Sequence, residues 1–468
     1  MNSTITIENI SKENPFEHCK LEREPYAKVL TDIVRTNPNG FVLAIDNKWG
    51  AGKTTFVSMW RCMLENENNG FKTLYFNAWE NDFENNPFVA ITAELKELLK
   101  NESSKTFKEV VKKGNEIAKA AIPSIIKTFI KRHGGEDLAE IIEKTSEGVF
   151  EAFQDDIDSY VKRKQSIKDF HKELQNYIKE NSNNKPIVFI IDELDRCRPD
   201  YAVSVLENVK HLFSVKGIVF VLSIDKEQLG HAICGAYGSD NIDSKEYLRR
   251  FIDVEYSLPQ PEIKNYVSYL IDTCKLNDFF DIEIRKNKEL KDEQAGFIDF
   301  TCFLFQFKDL NLRQQEKILI HVGVTLRSFN GNAYILPDLL LYLIYLKLFE
   351  PDYYNQIKRK ELTHQELLDK TKDVLKGNLN DDNGNRRRIK IESTLLSCYN
   401  EYVDYGDKIQ LKIKDGEGFP VKSNFDDSED QSTFARFVEM ETNSFRRSTP
   451  SIDYLLKKID LMEPLKDL

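Results

Sequence analysis

Phe41–Phe56 reads FVLAIDNKWGAGKTTF. It is an apolar run, then a glycine-containing turn, then Lys53 and two threonines opening what reads as a helix to about Glu65. A strand feeding such a turn and helix is the pattern of a phosphate-binding loop. The glycines let the backbone curl so that its N–H groups converge on phosphate oxygens, and the helix brings its positive end to the same point. Asn47, Lys48, Trp49, Gly50, Ala51, Gly52, Lys53, Thr54 and Thr55 are therefore the candidate nucleotide-binding segment. Lys53 would reach the β- and γ-phosphates, and the Thr54 hydroxyl would ligate Mg²⁺. One position departs from G-x-x-x-x-G-K-[ST]: Asn47 stands where the first glycine belongs. Asn is the residue other than glycine that best tolerates a left-handed backbone, so the turn is expected to survive.

A second anchor lies at Pro186–Ile191, PIVFII, which ends in Asp192 and Glu193. An apolar strand ending in a carboxylate places Asp192 at the carboxyl edge of a parallel sheet, beside the loop, where it can hold Mg²⁺. Glu193 is then placed to polarise an attacking water, the arrangement of hydrolysis rather than of transfer to a second substrate. Asp195 and Arg196 follow, either as a local ion pair capping the next helix or as part of the site. The fourth strand, GIVFVLSI at Gly217–Ile224, is followed by Asp225. Ser223 and Asp225 are expected to face the γ-phosphate from the side.

These elements predict an α/β fold, a P-loop NTPase core with a parallel sheet of order 5-1-4-3-2 and a fifth strand near Phe251–Tyr256. The core is expected over residues 1–102 and 185–260. Tyr26–Arg35 reads as a helix with Tyr26, Val29, Leu30 and Ile33 on one face, packed on the sheet edge or covering the adenine. Residues 103–184 are Lys- and Glu-rich and read as a helical insertion, a solvated hairpin or a partner-binding arm. Pro259 and Pro261 mark a boundary, after which 261–375 read as a helical lid. Its Arg327 is expected at the start of a helix, able to contact the γ-phosphate. Arg249 and Arg250, ahead of the fifth strand, could reach a neighbour's site in a homo-oligomer. Residues 376–468 form a small C-terminal region whose opening, NLNDDNGNRRRIK, reads as a loop. Arg386–Arg388 leave a nucleic-acid contact open, although beside Asp381 and Asp382 they read as a solvated loop.

Bulk properties narrow the class. The chain has 468 residues, 41% hydrophobic and 31% charged, which suits a soluble protein of two or three domains. Its net charge of −11 argues against broad nucleic-acid binding. Seven cysteines, Cys19, Cys62, Cys197, Cys234, Cys274, Cys302 and Cys398, show no C-x-x-C spacing, so a reducing, cytoplasmic compartment is expected. The N-terminus lacks the pattern of a signal peptide. The longest apolar stretches, Ala118–Ile130 and Tyr334–Phe349, are broken by charges or prolines and fall short of the ~20 residues that span a bilayer.

The motifs resemble the KAP family of P-loop NTPases. The matching segments are KWGAGKTTF, FNAW after the second strand, IIDELDRCRPDYAVSVLENVKHLF, VFVLSIDKEQL and YLRRFIDVEYSLP. The resemblance covers roughly residues 15–350. It implies an ATPase that uses Lys53 and Thr54 on ATP and Mg²⁺, Asp192 on Mg²⁺, and Glu193 as the base. Many members carry transmembrane helices between the two motifs. Here only the Lys-broken Ala118–Ile130 stretch lies there, so no transmembrane insertion is expected. Soluble bacterial members often sit in anti-phage defence systems, which implies protein partners from the same system. Two function classes follow: an ATP-hydrolysing switch or motor, or a slowly hydrolysing scaffold that assembles other subunits.

Overall fold

The computed structural model describes residues 10–84, 86–98, 105–117, 146–182, 184–239, 241–286, 290, 292–331, 333–375, 382–411, 419–425, 427–444 and 451–461. The chain divides into two compact units, Met1–Gln260 and Pro261–Leu468.

Unit 1 is built on five strands: β1 (Val42–Asp46), β2 (Thr73–Asn77), β3 (Ile187–Asp192), β4 (Ile218–Ile224) and β5 (Val254–Tyr256). All pair in parallel, in the order β2-β3-β4-β1-β5. β3 and β4 are buried along their whole length, which is why their sequences are continuously apolar rather than alternating. β4 lies between the strand that feeds the loop and the strand that ends in Asp192. The register sets Asn77, Asp192, Ser223 and Ile45 in one row across the carboxyl edge.

Two apolar layers cover the sheet. One side holds α1 (Glu24–Thr36) and α2 (Lys53–Glu65), packed on Leu43, Ile45, Val188, Ile190, Val219 and Val221. The buried face of α1 is Ala27, Leu30, Thr31 and Val34, while Val29 is exposed. Of the expected face only Leu30 is buried; Tyr26 and Ile33 are half-buried, and the buried stripe is rotated to include Ala27, Thr31 and Val34. Thr31 is buried because its hydroxyl donates to the Ala27 carbonyl and accepts from the indole N–H of fully buried Trp60.

The other side holds α3 (Pro87–Glu94), the helix of residues 105–117 (α4), α5 (Ser146–Asn181), α6 (Pro199–Asn208), α7 (Lys226–Tyr237) and the short α8 (Ser244–Arg249). The last turns of α5 belong to the core. Phe170 packs between Phe88 and Phe213, with ring centres 5.3 and 5.7 Å away, and Tyr177 donates its hydroxyl to the Leu95 carbonyl. Earlier in the helix Val161 is exposed. The C-terminal end of the insertion is thus part of the core. Ala118–Ile130 lies outside the described residues.

Unit 2 is helical. At its centre Pro337–Phe349 buries every residue from Leu339 to Leu346. No described helix is long and apolar enough to cross a membrane. The break expected at 375/376 is not a boundary between units. Asp382–Tyr402 is a helix, not a loop, and Ile391–Asn400 are buried throughout. Its polar opening misleads because those charges are paired: Arg387 grips Asp299 at 2.6 Å and Arg388 meets Glu392 at 2.7 Å. The C-terminal helix Ile452–Ile459 is likewise tied in, through Asp460 to Lys347 and Lys358 and from Lys458 to the Ser328 carbonyl.

Candidate nucleotide-binding site

The loop between β1 and α2 has glycine where the backbone demands it. Gly50 and Gly52 have φ of 80° and 75°, where a side chain would be strained. Gly52 is also the N-cap of α2, and no side chain caps the first N–H groups of that helix. An uncapped helix start behind a curled loop is an anion site. The loop is held from behind by Arg23, 3% exposed, which donates to the Ala51 and Gly52 carbonyls at 2.8 and 3.1 Å.

Asn47 does not take the left-handed conformation; it is absent from the residues of positive φ. The turn survives by another route. The Asn47 carboxamide exchanges two hydrogen bonds with the backbone of Leu258, accepting from its N–H at 2.8 Å and donating to its carbonyl at 2.9 Å. Asp225 is equally committed. Its two oxygens accept from the N–H of Trp49 at 3.0 Å and of Gln228 at 3.2 Å. It caps α7 and steadies the loop.

Lys53 is buried and donates to the Asn47 carbonyl, with the Lys48 carbonyl at 3.4 Å. Burial pushes its pKa down, opposed by the charges of Asp195, Asp225, Asp192 and Asp46. The charges of four carboxylates, at or just beyond the ends of β1, β3 and β4, thus bear on one ammonium. Asp195 is buried and accepts from the Trp49 indole N–H. Burial pushes its pKa up, against the pull of Lys53 and the Trp49 bond. Asp195 therefore joins the loop to the acidic strand.

Asp192 is 1% exposed and accepts from the Tyr75 hydroxyl at 3.1 Å and the Glu193 N–H at 3.0 Å. Burial and the Asp192 charge push the Tyr75 phenol well up, so it remains a donor. Glu193 sits at φ 59°, a conformation costly for a non-glycine residue. That backbone turn ends β3, and the Glu193 carboxylate meets Arg196 at 2.8 Å and the Asn77 side-chain amide at 3.3 Å. Arg196 in turn lies over the half-exposed Trp79 ring. The Ser223 hydroxyl, in the same row as Asp192, is buried without a partner.

Arg249 is exposed and pairs with Glu246 one turn back; Arg250, also exposed, follows it. Arg327 is the C-cap of Leu312–Leu326, not the start of a helix, because its capping box lies at the other end, on Asn311 and Gln314. Arg23, Tyr75 and Asn77 were missed. Asn77 carried a signal, the polar residue closing an apolar strand in FNAW. Arg23 carried none, since its partners lie 28 and 29 residues away.

An all-parallel sheet, a glycine loop onto a helix start, and a buried lysine facing strand-end carboxylates define a P-loop domain. The family model described as the KAP family P-loop domain matches residues 23–331, and the chain belongs to that family. The match begins at Arg23 and runs through the phosphate loop and the acidic strand. No curated protein matches the chain. Family membership carries nucleotide binding and hydrolysis in general terms.

Proposed function

We propose that the chain is an ATP-hydrolysing switch whose nucleotide state is read by partner proteins. The observation that carries this reading is Lys53 buried among Asp192, Asp195, Asp225 and Asp46, with Glu193 one residue beyond Asp192. The uncapped N–H groups of α2 and the loop would bind the phosphates, and Lys53 would leave its two carbonyls for them. The surplus of buried carboxylates and the unpartnered Ser223 hydroxyl fit a cation with its water. Thr54 and Asp192 are the residues to hold Mg²⁺, which when bound neutralises charge on the phosphate oxygens. Glu193 accepts the proton of the attacking water. ATP rather than GTP is the expectation carried by the family. Arg249 and Arg250, both exposed, suit a role toward a second copy. The family's association with anti-phage defence makes proteins of such a system the first partners to test.

A second reading is a scaffold that binds ATP and hydrolyses it slowly. It is favoured by the hold of Arg196 and Asn77 on the Glu193 carboxylate, which ties its oxygens to partners other than a water. Phosphate release from ATP separates the two. For the switch, Glu193→Gln should bind ATP but lose turnover by about 10²–10⁴-fold, the usual worth of a general base, and Lys53→Ala should not bind. Turnover by wild type no faster than by Glu193→Gln would leave the scaffold. Failure of wild type to bind nucleotide would sink both.

A further inference from the structure

Asn47 occupies a glycine position without needing glycine's freedom, and its side chain is spent on Leu258 instead. A carboxamide carries a donor and an acceptor side by side, so it satisfies both backbone groups of one residue as a strand neighbour would. Leu258 lies two residues past β5 and is followed by Pro259, Gln260 and Pro261. The chain leaves unit 1 after Gln260. At its other end, the Asn47 main-chain carbonyl accepts from the Lys53 ammonium. Lys53, Asn47 and Leu258 therefore form one hydrogen-bonded run from the phosphate-reading ammonium to the exit of the unit.

We infer that Asn47 is a positioning residue that transmits phosphate binding from Lys53 to the exit segment at Leu258. The inference rests on the nucleotide-binding reading above. A phosphate oxygen carries a full negative charge where the Asn47 carbonyl carries a partial one, so bound phosphate draws the Lys53 ammonium off that carbonyl. The Asn47 carbonyl then loses its anchor while the Asn47 N–H stays on the Ile224 carbonyl at 3.1 Å, and the resulting shift of the Asn47 backbone is passed to the carboxamide's hold on Leu258. The Leu258 N–H is the group that registers the change. Glycine at this position would carry the loop but would end the run at the loop.

Hydrogen exchange at Leu258 in the full chain tests this. Residues 259 and 261 are prolines without amide hydrogens, so a peptide across the exit reports only on Ser257, Leu258 and Gln260. The probe is a non-hydrolysable ATP analogue with Mg²⁺, its binding measured by calorimetry in the same buffer. In wild type, saturation should change Leu258 exchange about tenfold, the worth of one hydrogen bond. Asn47→Gly should exchange fast with or without the analogue. Bound analogue with unchanged Leu258 exchange in wild type overturns the inference, whatever the variant does. So does an Asn47→Gly chain that keeps the response. Wild type that binds no analogue overturns the nucleotide-binding reading, and this inference with it.

Discussion

Both units bury charge, but they bury it differently. In unit 1 the buried charges converge: Lys53, Asp192, Asp195 and Asp225, each under 10% exposed, gather at the carboxyl edge of the sheet with acid in excess. In unit 2 they are spread along the helices, each held by nearby carboxylates, lysines or carbonyls. Arg285, 1% exposed, meets Glu293 and the carbonyls of Gly331 and Ala333, and Arg388 meets Glu392. A cluster with acid in excess carries uncompensated charge, whereas the unit 2 pairs cancel in charge and leave only single atoms, Arg285 Nε, Glu293 Oε1 and Glu392 Oε2, buried without a hydrogen-bond partner among the described residues. The imbalance is what marks unit 1 as a site and the matched pairs as fasteners.

The largest effect tests the fasteners. Arg285→Met leaves Glu293 and two carbonyls facing a thioether, and should cost unit 2 about 3 kcal/mol. Urea unfolding of the full chain measures it. A loss under 1 kcal/mol would place Arg285 among dispensable surface pairs and blur the contrast.

A smaller effect concerns Glu392, whose carboxyl is pushed by burial from 4.5 up to about 7 against the pull of Arg388 and Lys372. Its folded pKa is raised, so between about 4.5 and 7 the native state holds a proton that the unfolded chain has lost. Stability should therefore fall as pH rises through that window and level off above it. Calorimetric melting of wild type and Glu392→Gln at several pH values checks this. An equal slope in both proteins would assign the dependence to other groups.

The smallest effect lies in unit 1. The Arg196–Glu193 pair is partly open to solvent, so it is worth about 0.5–1 kcal/mol. Arg196→Ala should raise kcat two- to fivefold, roughly that energy, and leave KM in place. A fall in kcat would make Arg196 a helper of the base rather than a restraint on it.

The core of unit 1 was legible because its signals are local. β1, β3 and β4 are unbroken apolar runs, and the loop glycines and strand-end acids lie beside them. What stayed hidden depends on distance. Asn47 meets Leu258 across 211 positions, so its residue type suggested a backbone role when its side chain had the task. Val29 looked like core on periodicity alone, but Trp60 drew Thr31 inward in its place. In unit 2, the charges of residues 382–390 imitated a loop because their partners, Asp299 and Asp338, come from other helices. Arg327 was an arginine in search of a role, and nothing local showed which end of its helix it occupied.

The long helix Ser146–Asn181 has a consequence for engineering. The stretch just ahead of its core contacts can be regarded as a mounting point: a foreign module spliced in at residues 161–165 would meet exposed side chains at 161, 162, 164 and 165. A splice that reached Phe170 would pull a ring from between Phe88 and Phe213, and the loss of Tyr177 would strand the Leu95 carbonyl. The interchangeable part of this insertion therefore ends inside a continuous helix, at a point no loop announces.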